Sequence, residues 1–431
     1  MRKLVTGMAT VGLVAAALGA GLGLGGGVAA AAGTSKAPIV VGGDGDLSIS
    51  QGVSQGFEAG IYRFNKAGGL DGRKIKYEGF LDDAFSPATN LSNAQQLVQK
   101  DHVFAVVPFV GQEAGAATGQ FLAAQHIPFI GWSTNAAFDA EPKWGFGVNG
   151  NQGNPEVQGA GGMIQAIAAQ HDQKDPSKVK MALIANNFSG AIIANQALAG
   201  VAKHEGIDVT YAKAPIAPIG TTNYAPYAQA IMSSGANTVY EVLAAADSVG
   251  LAAALKAAGF KGMVINGVTY YPGQLASNAN EAAALNGVYV ENEFPVDEEH
   301  TAATNQALKD FKAIGQPAAM PSGAAAGYWS AIVFEQMLKA TLARVGSIAK
   351  VTPSALQQTV TAAKGWTYKD PINGGIGTET FPSAETNPSG CGVLVKTVGT
   401  SFKLVEPYQC TYDINIKTGQ KLNPQTGKPL G

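Results

Sequence analysis

Residues 64–75 read Phe64-Asn65-Lys66-Ala67-Gly68-Gly69-Leu70-Asp71-Gly72-Arg73-Lys74-Ile75, and this stretch predicts a helix end, a tight turn and the start of a strand. Upstream, apolar residues recur at spacings of four, four and three and therefore share one helical face: Val53, Phe57, Ile61 and Phe64. Gly68-Gly69 ends the helix, because glycine takes the left-handed backbone conformation that a C-terminal cap needs. Asp71-Gly72 predicts a second turn, after which the chain is extended.

The alternation of strands and helices continues along the chain. Apolar runs predict strands at 38–41, 103–107, 127–130, 179–185, 209–212, 238–243, 263–265 and 288–290. Helical patterns lie between these runs, and this order implies parallel sheets with crossover helices. The polar, glycine-containing segment Asn149–Pro155 predicts a loop that crosses into a second lobe, and Phe294–Asp297 predicts the crossing back. The sequence therefore predicts an α/β protein with two lobes.

The composition argues against two classes of partner. Charged residues make up 14% of the 431 residues, against about 25% in average proteins. The net charge is -2, so nothing indicates binding to nucleic acid or to an anionic membrane surface. The length is enough for two or three domains with sizeable cores.

The first residues differ from the rest of the chain. A short basic start precedes the uncharged, apolar and glycine-rich segment Leu4–Leu24, and Val28–Ala32 offers small-x-small cleavage sites. This pattern predicts a secretory signal peptide at residues 1–32 and export to the periplasm or cell surface. The alternative is a retained anchor, since about 20 apolar residues can span a bilayer. No cysteine lies near the cleavage region, so a lipoprotein attachment is not predicted.

The chain has two cysteines, Cys391 and Cys410, on either side of a predicted strand-turn-strand segment. Export favours a disulfide between them, because disulfides form in oxidising compartments. The alternative is two free thiols.

The stretch 64–75, together with the pair Asp82-Asp83, resembles the first helix-turn-strand of type I periplasmic binding proteins of the branched-chain amino acid (Leu/Ile/Val-binding) family. In that family an asparagine, a small residue and two glycines precede the second strand, and an Asp-Asp pair follows it. The resemblance runs from about Ile39 to about Lys339. It implies two Rossmann-like lobes with parallel central sheets, joined by a three-strand hinge. The expected N-terminal lobe comprises residues 36–152 and 295–345, and the expected C-terminal lobe comprises residues 153–294 and 346–431.

Ligands of parallel sheets bind beyond the carboxyl ends of the strands, so the turns after the strands are the candidate walls of a cleft. Amides, hydroxyls and aromatic rings dominate these turns, which suits a small neutral or zwitterionic molecule. The candidate ligand-binding residues are Asp46, Ser48, Gln112, Glu113, Trp132, Ser133, Thr134, Asn135, Phe188, Ala244, Val268 and Tyr270. Three of them, Ser133, Thr134 and Asn135, are equally good helix caps.

The resemblance implies roles for some of these positions. In the amino acid-binding relatives, a serine after the third strand and a small-Thr turn after the fourth strand hold the ligand carboxylate. Gln112 and the turn Ser133-Thr134-Asn135 occupy these places here, so hydrogen-bonding capacity persists. Phe188 and Ala244 fall where the relatives have tyrosines.

The acid that pairs with the ligand ammonium in the relatives aligns with Val268. A buried ammonium without an acidic partner is costly. Two hypotheses therefore remain: another acid, such as Asp46 or Glu113, pairs with the ammonium, or the ligand is not an α-amino acid.

The sequence has only partial matches to metal-binding and catalytic motifs, and each lacks a required residue or structural context. The loop 42–48 contains Asp44 and Asp46 but lacks the glycine and terminal glutamate of a calcium loop. No dinucleotide or P-loop motif occurs, so we expect neither a metal nor a cofactor. Residues 52–56 match G-x-S-x-G, but that elbow needs a strand directly before the serine, and Ser54 lies in a helical pattern. A hydrolase is therefore disfavoured.

The sequence favours an exported solute-binding protein, rather than an enzyme, that delivers a small molecule to the membrane permease of an ABC importer. We expect this protein to be a monomer. A branched-chain amino acid or a related amide or carboxylate compound is the expected ligand. The alternative is a secreted ligand sensor with the same cleft, which reports to a receptor.

Overall fold

The computed structural model describes residues 37–431, except residues 153, 160–166, 168–174, 219, 268–269 and 383–386. The predicted signal peptide and Val268 lie outside the described residues. All described residues belong to one compact unit. No helix in the described part of the chain is both long and apolar enough to cross a membrane.

The first part of the chain forms a parallel five-stranded sheet with the order β2-β1-β3-β4-β5. Its elements are β1 (Ile39–Gly45), α1 (Val53–Lys66), β2 (Ile75–Asp82), α2 (Pro87–Gln99), β3 (Ala105–Val110), α3 (Ala116–Ala124), β4 (Phe129–Gly131), α4 (Ala136–Ala140) and β5 (Gly145–Gly147).

The next part builds most of a seven-stranded sheet with the order β15-β14-β11-β10-β9-β7-β8. Strands β7 to β11 are parallel, and β14 and β15 add an antiparallel edge. The elements are β6 (Val157–Gly159), β7 (Lys180–Asn186), α5 (Ser189–His204), β8 (Asp208–Ile216), α6 (Ala225–Ser233), β9 (Thr238–Val242), α7 (Ala245–Ala257), β10 (Met263–Asn266), α8 (Pro272–Ser277), α9 (Ala279–Leu285) and β11 (Tyr289–Asn292).

The last part returns to the first sheet and then to the second. Its elements are α10 (Ala302–Ala313), α11 (Ser322–Val345), α12 (Pro353–Val360), β12 (Trp366–Thr367), β13 (Thr380–Phe381), β14 (Cys391–Val398), β15 (Ser401–Cys410), β16 (Asp413–Asn415) and β17 (Lys421–Leu422). The α/β class with parallel central sheets is confirmed.

The stretch 64–75 folds as predicted. The amide of Gly69 donates to the carbonyl of Phe64 at 2.9 Å, which closes the helix end. The side chain of Asn65 then bonds to both backbone groups of Ile75, at 2.8 Å each, and so fixes the start of β2 against the end of α1. Gly69 has φ 73°, and a Cβ there would lie 2.1 Å from the carbonyl oxygen of Arg73. Only glycine fits this position.

Three segments connect the two sheets: one after β5, one after β11 and one between β13 and β14. The first and third are joined by backbone hydrogen bonds, from Asn151 to Asn387 and from Ser389 to Asn149, each 2.8 Å long. The side chain of Asn149 also donates to Glu293 on the second segment, at 2.5 Å. The crossings are therefore one hydrogen-bonded bundle.

The C-terminal part of the chain differs from the expectation that everything from residue 346 lies with the second lobe. Leu356, Tyr368 and Phe381 are fully buried in the same core as the helices α1 and α11 of the first sheet. The reason is that α12 folds back onto the long helix α11 that precedes it. The chain joins the second sheet only at β14.

The cysteine hairpin is present but is not the end of the fold. Cys391 and Cys410 face each other in β14 and β15 and form a disulfide, which confirms the predicted bond. After the hairpin, β16 pairs with β17 and with β6, which follows the first crossing segment. The sequence analysis missed this three-stranded sheet.

Candidate ligand-binding site

A cavity of about 120 Å³ lies between the carboxyl ends of the two sheets. Its apolar wall comes mainly from the second sheet and from α5: Ile49, Phe188, Ala191, Ala194, Leu198, Val242, Leu243 and Ala244. Its polar wall comes from both sheets and from the crossing segments: Gln112, Trp132, Thr134, Gln152, Gln158, Tyr240, Glu291 and Glu293. The lining is completed by Gly159, Gly190, Gly267, Gly390 and Cys391.

Five of the predicted residues line this cavity: Gln112, Trp132, Thr134, Phe188 and Ala244. The hydroxyl of Thr134 is buried and has no hydrogen-bond partner among the described residues. The main chain at Gln112 and Thr134 lies close to Gly190, where a Cβ would come within 3.1 Å of the carbonyl oxygens of both residues. The absence of a side chain at Gly190 thus lets α5 approach the turns of the first sheet.

Four predicted residues near the strand ends instead form hydrogen bonds with other groups of the protein. The Asp46 carboxylate accepts hydrogen bonds from the Ser48 hydroxyl and the Ile49 amide, at 2.8 and 2.9 Å. Asn135 caps α4 by accepting from the amide of Ala137 at 3.1 Å. Ser133 donates to the carbonyl of Gly150 and accepts from the amide of Gln152, so it fastens the first crossing segment.

Tyr270 is fully buried in the core of the second sheet and does not line the cavity. Its ring packs on Phe402 with 4.9 Å between centroids, and its hydroxyl donates to Glu298 at 2.6 Å. The aromatic ring after β10 was predicted to face a ligand, but the short helices α8 and α9 that follow cover it.

Glu113 bridges the two sheets beside the cavity. Its carboxylate accepts from the amide of Ser189, the first residue of α5, at 2.7 Å. On another side, the Tyr271 hydroxyl donates to the carbonyl of Ile49 at 2.8 Å. These contacts between turns of the first sheet and of the second enclose the cavity.

The cavity-lining residues that the sequence analysis missed include two acids, Glu291 in β11 and Glu293 directly after it. The Glu293 carboxylate accepts from the Trp132 indole N–H at 2.6 Å and from the Asn149 amide at 2.5 Å, both at Oε2. The Glu291 carboxylate accepts from the Tyr240 hydroxyl at 2.7 Å, also at Oε2. Ending the predicted strand at residue 290 hid both acids, although the rule on strand ends applies to β11 as well.

Burial in the protein raises the pKa of both acids. Burial raises the pKa of Glu293 from its usual 4.5 to about 7, and the nearby charge of Glu291 adds to the rise. The hydrogen bonds from Trp132 and Asn149 oppose that rise. Burial likewise raises the pKa of Glu291, and the hydrogen bond from Tyr240 opposes it.

Three acids outside the cavity also lie together. Asp46, Asp82 and Asp83 bring carboxylate oxygens within 4.8 Å of one another. The oxygens are partly used by the backbone, since Asp82 accepts from the amides of Leu47 and Ala84 at 3.2 and 3.1 Å. Burial raises the pKa of Asp83 to about 6.

The serine of the G-x-S-x-G match lies inside α1, and a turn rather than a strand precedes it. Ser54 therefore does not occupy a nucleophile elbow. This placement agrees with the helical pattern of the sequence.

Solved structures with the same fold include a fatty acid ABC transporter substrate-binding protein from Thermomonospora curvata, which is 17% identical. The match covers 90% of this chain and 96% of that one, with a TM-score of 0.71. A branched chain amino acid ABC transporter from Thermus thermophilus with bound valine is 12% identical, with coverage of 88% and 97% and a TM-score of 0.69. A solute binding protein from R. palustris in complex with 4-hydroxybenzoate is 18% identical, with coverage of 87% and 97% and a TM-score of 0.66.

A search of curated proteins gives no significant match. The sequence model of the periplasmic binding protein family matches residues 39–399, which is most of the chain. This match spans the first sheet, every strand of the second sheet except β15, all three crossing segments and every described residue of the cavity wall. The chain belongs to the periplasmic binding protein family, in its type I, leucine/branched-chain form.

Proposed function

We propose that this protein is the exported solute-binding component of an ABC importer and captures a small molecule by closure of two lobes on a hinge. The observation that carries the proposal is the enclosed cavity, because its walls come from both sheets and from all three crossing segments. Family membership supports a role in ligand binding rather than catalysis. The expected ligands are a branched-chain amino acid or a related amide or carboxylate compound.

The proposed lobes follow the cores. One lobe comprises residues 36–152 and 295–382, and the other comprises residues 153–294 and 391–431. The assignment of the segment after residue 346 to the first lobe rests on the burial of Leu356 and Phe381 in its core. The three crossing segments between the lobes would act as the hinge.

The contacts that enclose the cavity suggest how capture works. The bonds from Ser189 to Glu113 and from Tyr271 to Ile49 join turns of different sheets, so opening of the cleft breaks them. A ligand that touches both walls adds binding energy only in the closed state and shifts the population toward it. The permease would then recognise the closed form.

Calorimetric titration tests this proposal. The panel comprises leucine, isoleucine, valine and phenylalanine with their deaminated acids and amides, together with benzoate, a fatty acid and an aliphatic amine. We expect saturable one-to-one binding of at least one compound and a smaller radius of gyration in solution scattering. The variants Gln112→Ala and Thr134→Ala should weaken that binding. Absence of binding and of compaction across the panel would refute the proposal, and substrate turnover would replace it.

A further inference from the structure

The two glutamates of the cavity wall are arranged to receive hydrogen bonds from a ligand. Glu291 lies in β11 and Glu293 is the first residue after it, and both residues line the same cavity. Each carboxylate uses Oε2 in the bonds described above. Neither Oε1 atom has a hydrogen-bond partner among the described residues, and both side chains line the cavity.

The donors of the polar wall are mostly occupied. The indole of Trp132 and the hydroxyl of Tyr240 donate to the two glutamates. The side-chain amide of Gln158 donates to two backbone carbonyls, at 2.6 and 3.3 Å, and that of Gln152 donates to a third at 3.2 Å.

Among the described residues of the wall, the Thr134 hydroxyl and the Gln112 side-chain amide keep free donors. The free acceptors are more numerous, because they include Oε1 of both glutamates and the side-chain amide oxygens of Gln112, Gln152 and Gln158. A ligand that matches this wall brings donors of its own.

The charge of the cavity wall also favours a ligand that carries donors, and in particular a cation. No lysine, arginine or histidine is among the described residues that line the cavity, and neither glutamate forms an ion pair in the described structure. Two enclosed carboxylates without a cation repel each other and any anionic ligand. The raised pKa values of both acids agree with this lack of compensation.

The apolar part of the lining favours the rest of the ligand. Phe188, Leu198 and Val242 give the cavity apolar surface beside its polar groups. An aliphatic or small aromatic body therefore fits this lining.

We propose that the ligand is a small organic amine, protonated and without a carboxylate, whose ammonium group donates hydrogen bonds to Glu291 and Glu293 while its apolar body packs on the wall of Phe188 and Leu198. This inference rests on the proposed function: it keeps capture by closure and replaces the expected ligand class with cationic amines. It assigns the ammonium contact to Glu291 on β11 and to Glu293 directly after that strand, in place of the acids Asp46 and Glu113 considered in the sequence analysis.

Three compounds with one branched body and different charged groups test the inference. They are 3-methylbutylamine, leucine and 4-methylpentanoate, titrated calorimetrically into the full protein near neutral pH. We expect one-to-one binding of the amine, about tenfold or more tighter than that of either other compound. Glu291→Gln and Glu293→Gln should each weaken amine binding by about tenfold or more, because each removes a charged acceptor.

The matched control is Glu78→Gln, which makes the same change on β2, where the acid pairs with Lys76 away from the cavity. This variant should bind the amine as the unchanged protein does. Cooperative thermal unfolding of both cavity variants is the check that they are folded. A further check is that the amine raises the melting temperature of the unchanged protein and of Glu78→Gln but not of Glu293→Gln.

Two results overturn the inference, and they have different meanings for the proposed function. Tighter binding of leucine or 4-methylpentanoate than of the amine refutes the amine and leaves capture by closure intact. Lack of amine binding also refutes the inference, and the wider panel with its scattering measurement then decides whether capture itself fails.

Discussion

The indole N–H of Trp132 donates to Oε2 of Glu293 at 2.6 Å and so joins the turn after β4 to the second crossing segment. The same oxygen accepts from Asn149 on the first crossing segment, at 2.5 Å. One carboxylate oxygen thus holds two crossings and a turn of the first sheet together. Because Glu293 also lines the cavity, the charge of this group couples the contents of the cavity to the geometry of the crossings.

Replacing Trp132 by phenylalanine tests this coupling. The variant keeps an apolar ring but loses a donor to a charged group, a bond worth about 1.5 to 3 kcal/mol. We expect the affinity for the tightest compound of the panel to fall about tenfold, as measured by calorimetry. The control is Trp144→Phe, since Trp144 stacks on His126 and does not line the cavity. Equal affinity in both variants would contradict the coupling.

The contact between Glu113 and the first turn of α5 predicts an effect on closure. Glu113→Ala removes the acceptor of the Ser189 amide and a negative charge at a helix N-terminus, worth together about 1 to 2 kcal/mol. The closed state should become less populated, so we expect a Kd about fivefold to thirtyfold higher and a larger radius of gyration with subsaturating ligand. Glu78→Ala is the control, because surface ion pairs contribute about 0 to 1 kcal/mol. An unchanged Kd and radius would remove this contact from the closing mechanism.

The glycine pair at the end of α1 predicts two different costs in folding stability. Gly68 and Gly69 both have positive φ, of 99° and 73°, but only at Gly69 would a Cβ collide with the backbone, 2.1 Å from Arg73. We expect Gly68→Ala to lower the free energy of unfolding by about 1 to 2 kcal/mol, for backbone strain alone. Gly69→Ala should lower it by about 2 kcal/mol more, since the chain must also shift. Urea unfolding of both variants measures the difference, and equal losses would show that the turn relaxes freely.

The acid Glu241 predicts a fall in stability with rising pH. It is fully buried, accepts from Ser248 at 2.7 Å and from Asn266 at 3.2 Å, and burial raises its pKa from 4.5 to about 7. The unfolded chain loses this proton near pH 4.5 and the folded chain keeps it to about pH 7. The folded state therefore binds more protons in this window, and stability declines as pH rises through it.

The size of this decline is on the order of 3 kcal/mol for Glu241. Glu293 and Asp297, each with a pKa raised to about 7, act in the same direction. Urea unfolding at about pH 5 and about pH 8 should therefore show higher stability at the lower pH, and Glu241→Gln should reduce the difference. A variant with an undiminished difference would show that Glu241 does not titrate in this window.

The fold could be predicted from the sequence to a large extent, because helix periodicity and the glycine turn at Gly68-Gly69 are local signals. The candidate site could be predicted from the sequence only in part. Asp46 and Asn135 were expected to meet a ligand, but the same carboxylate and amide groups serve equally well to satisfy nearby backbone amides. Glu291 and Glu293 were missed because a four-residue strand is too short to show where it ends.

The disulfide has a consequence for how the protein is prepared. Cys391 lines the cavity and starts β14, while Cys410 lies on β15, the edge strand of the second sheet. Protein produced in a reducing cytosol therefore lacks the disulfide between β14 and β15 beside the cavity. Ligand affinities measured on that protein describe a form in which these two strands are not covalently joined. Secretion into an oxidising compartment, or oxidative refolding with a thiol assay before each titration, gives the form in which the binding measurements above are meaningful.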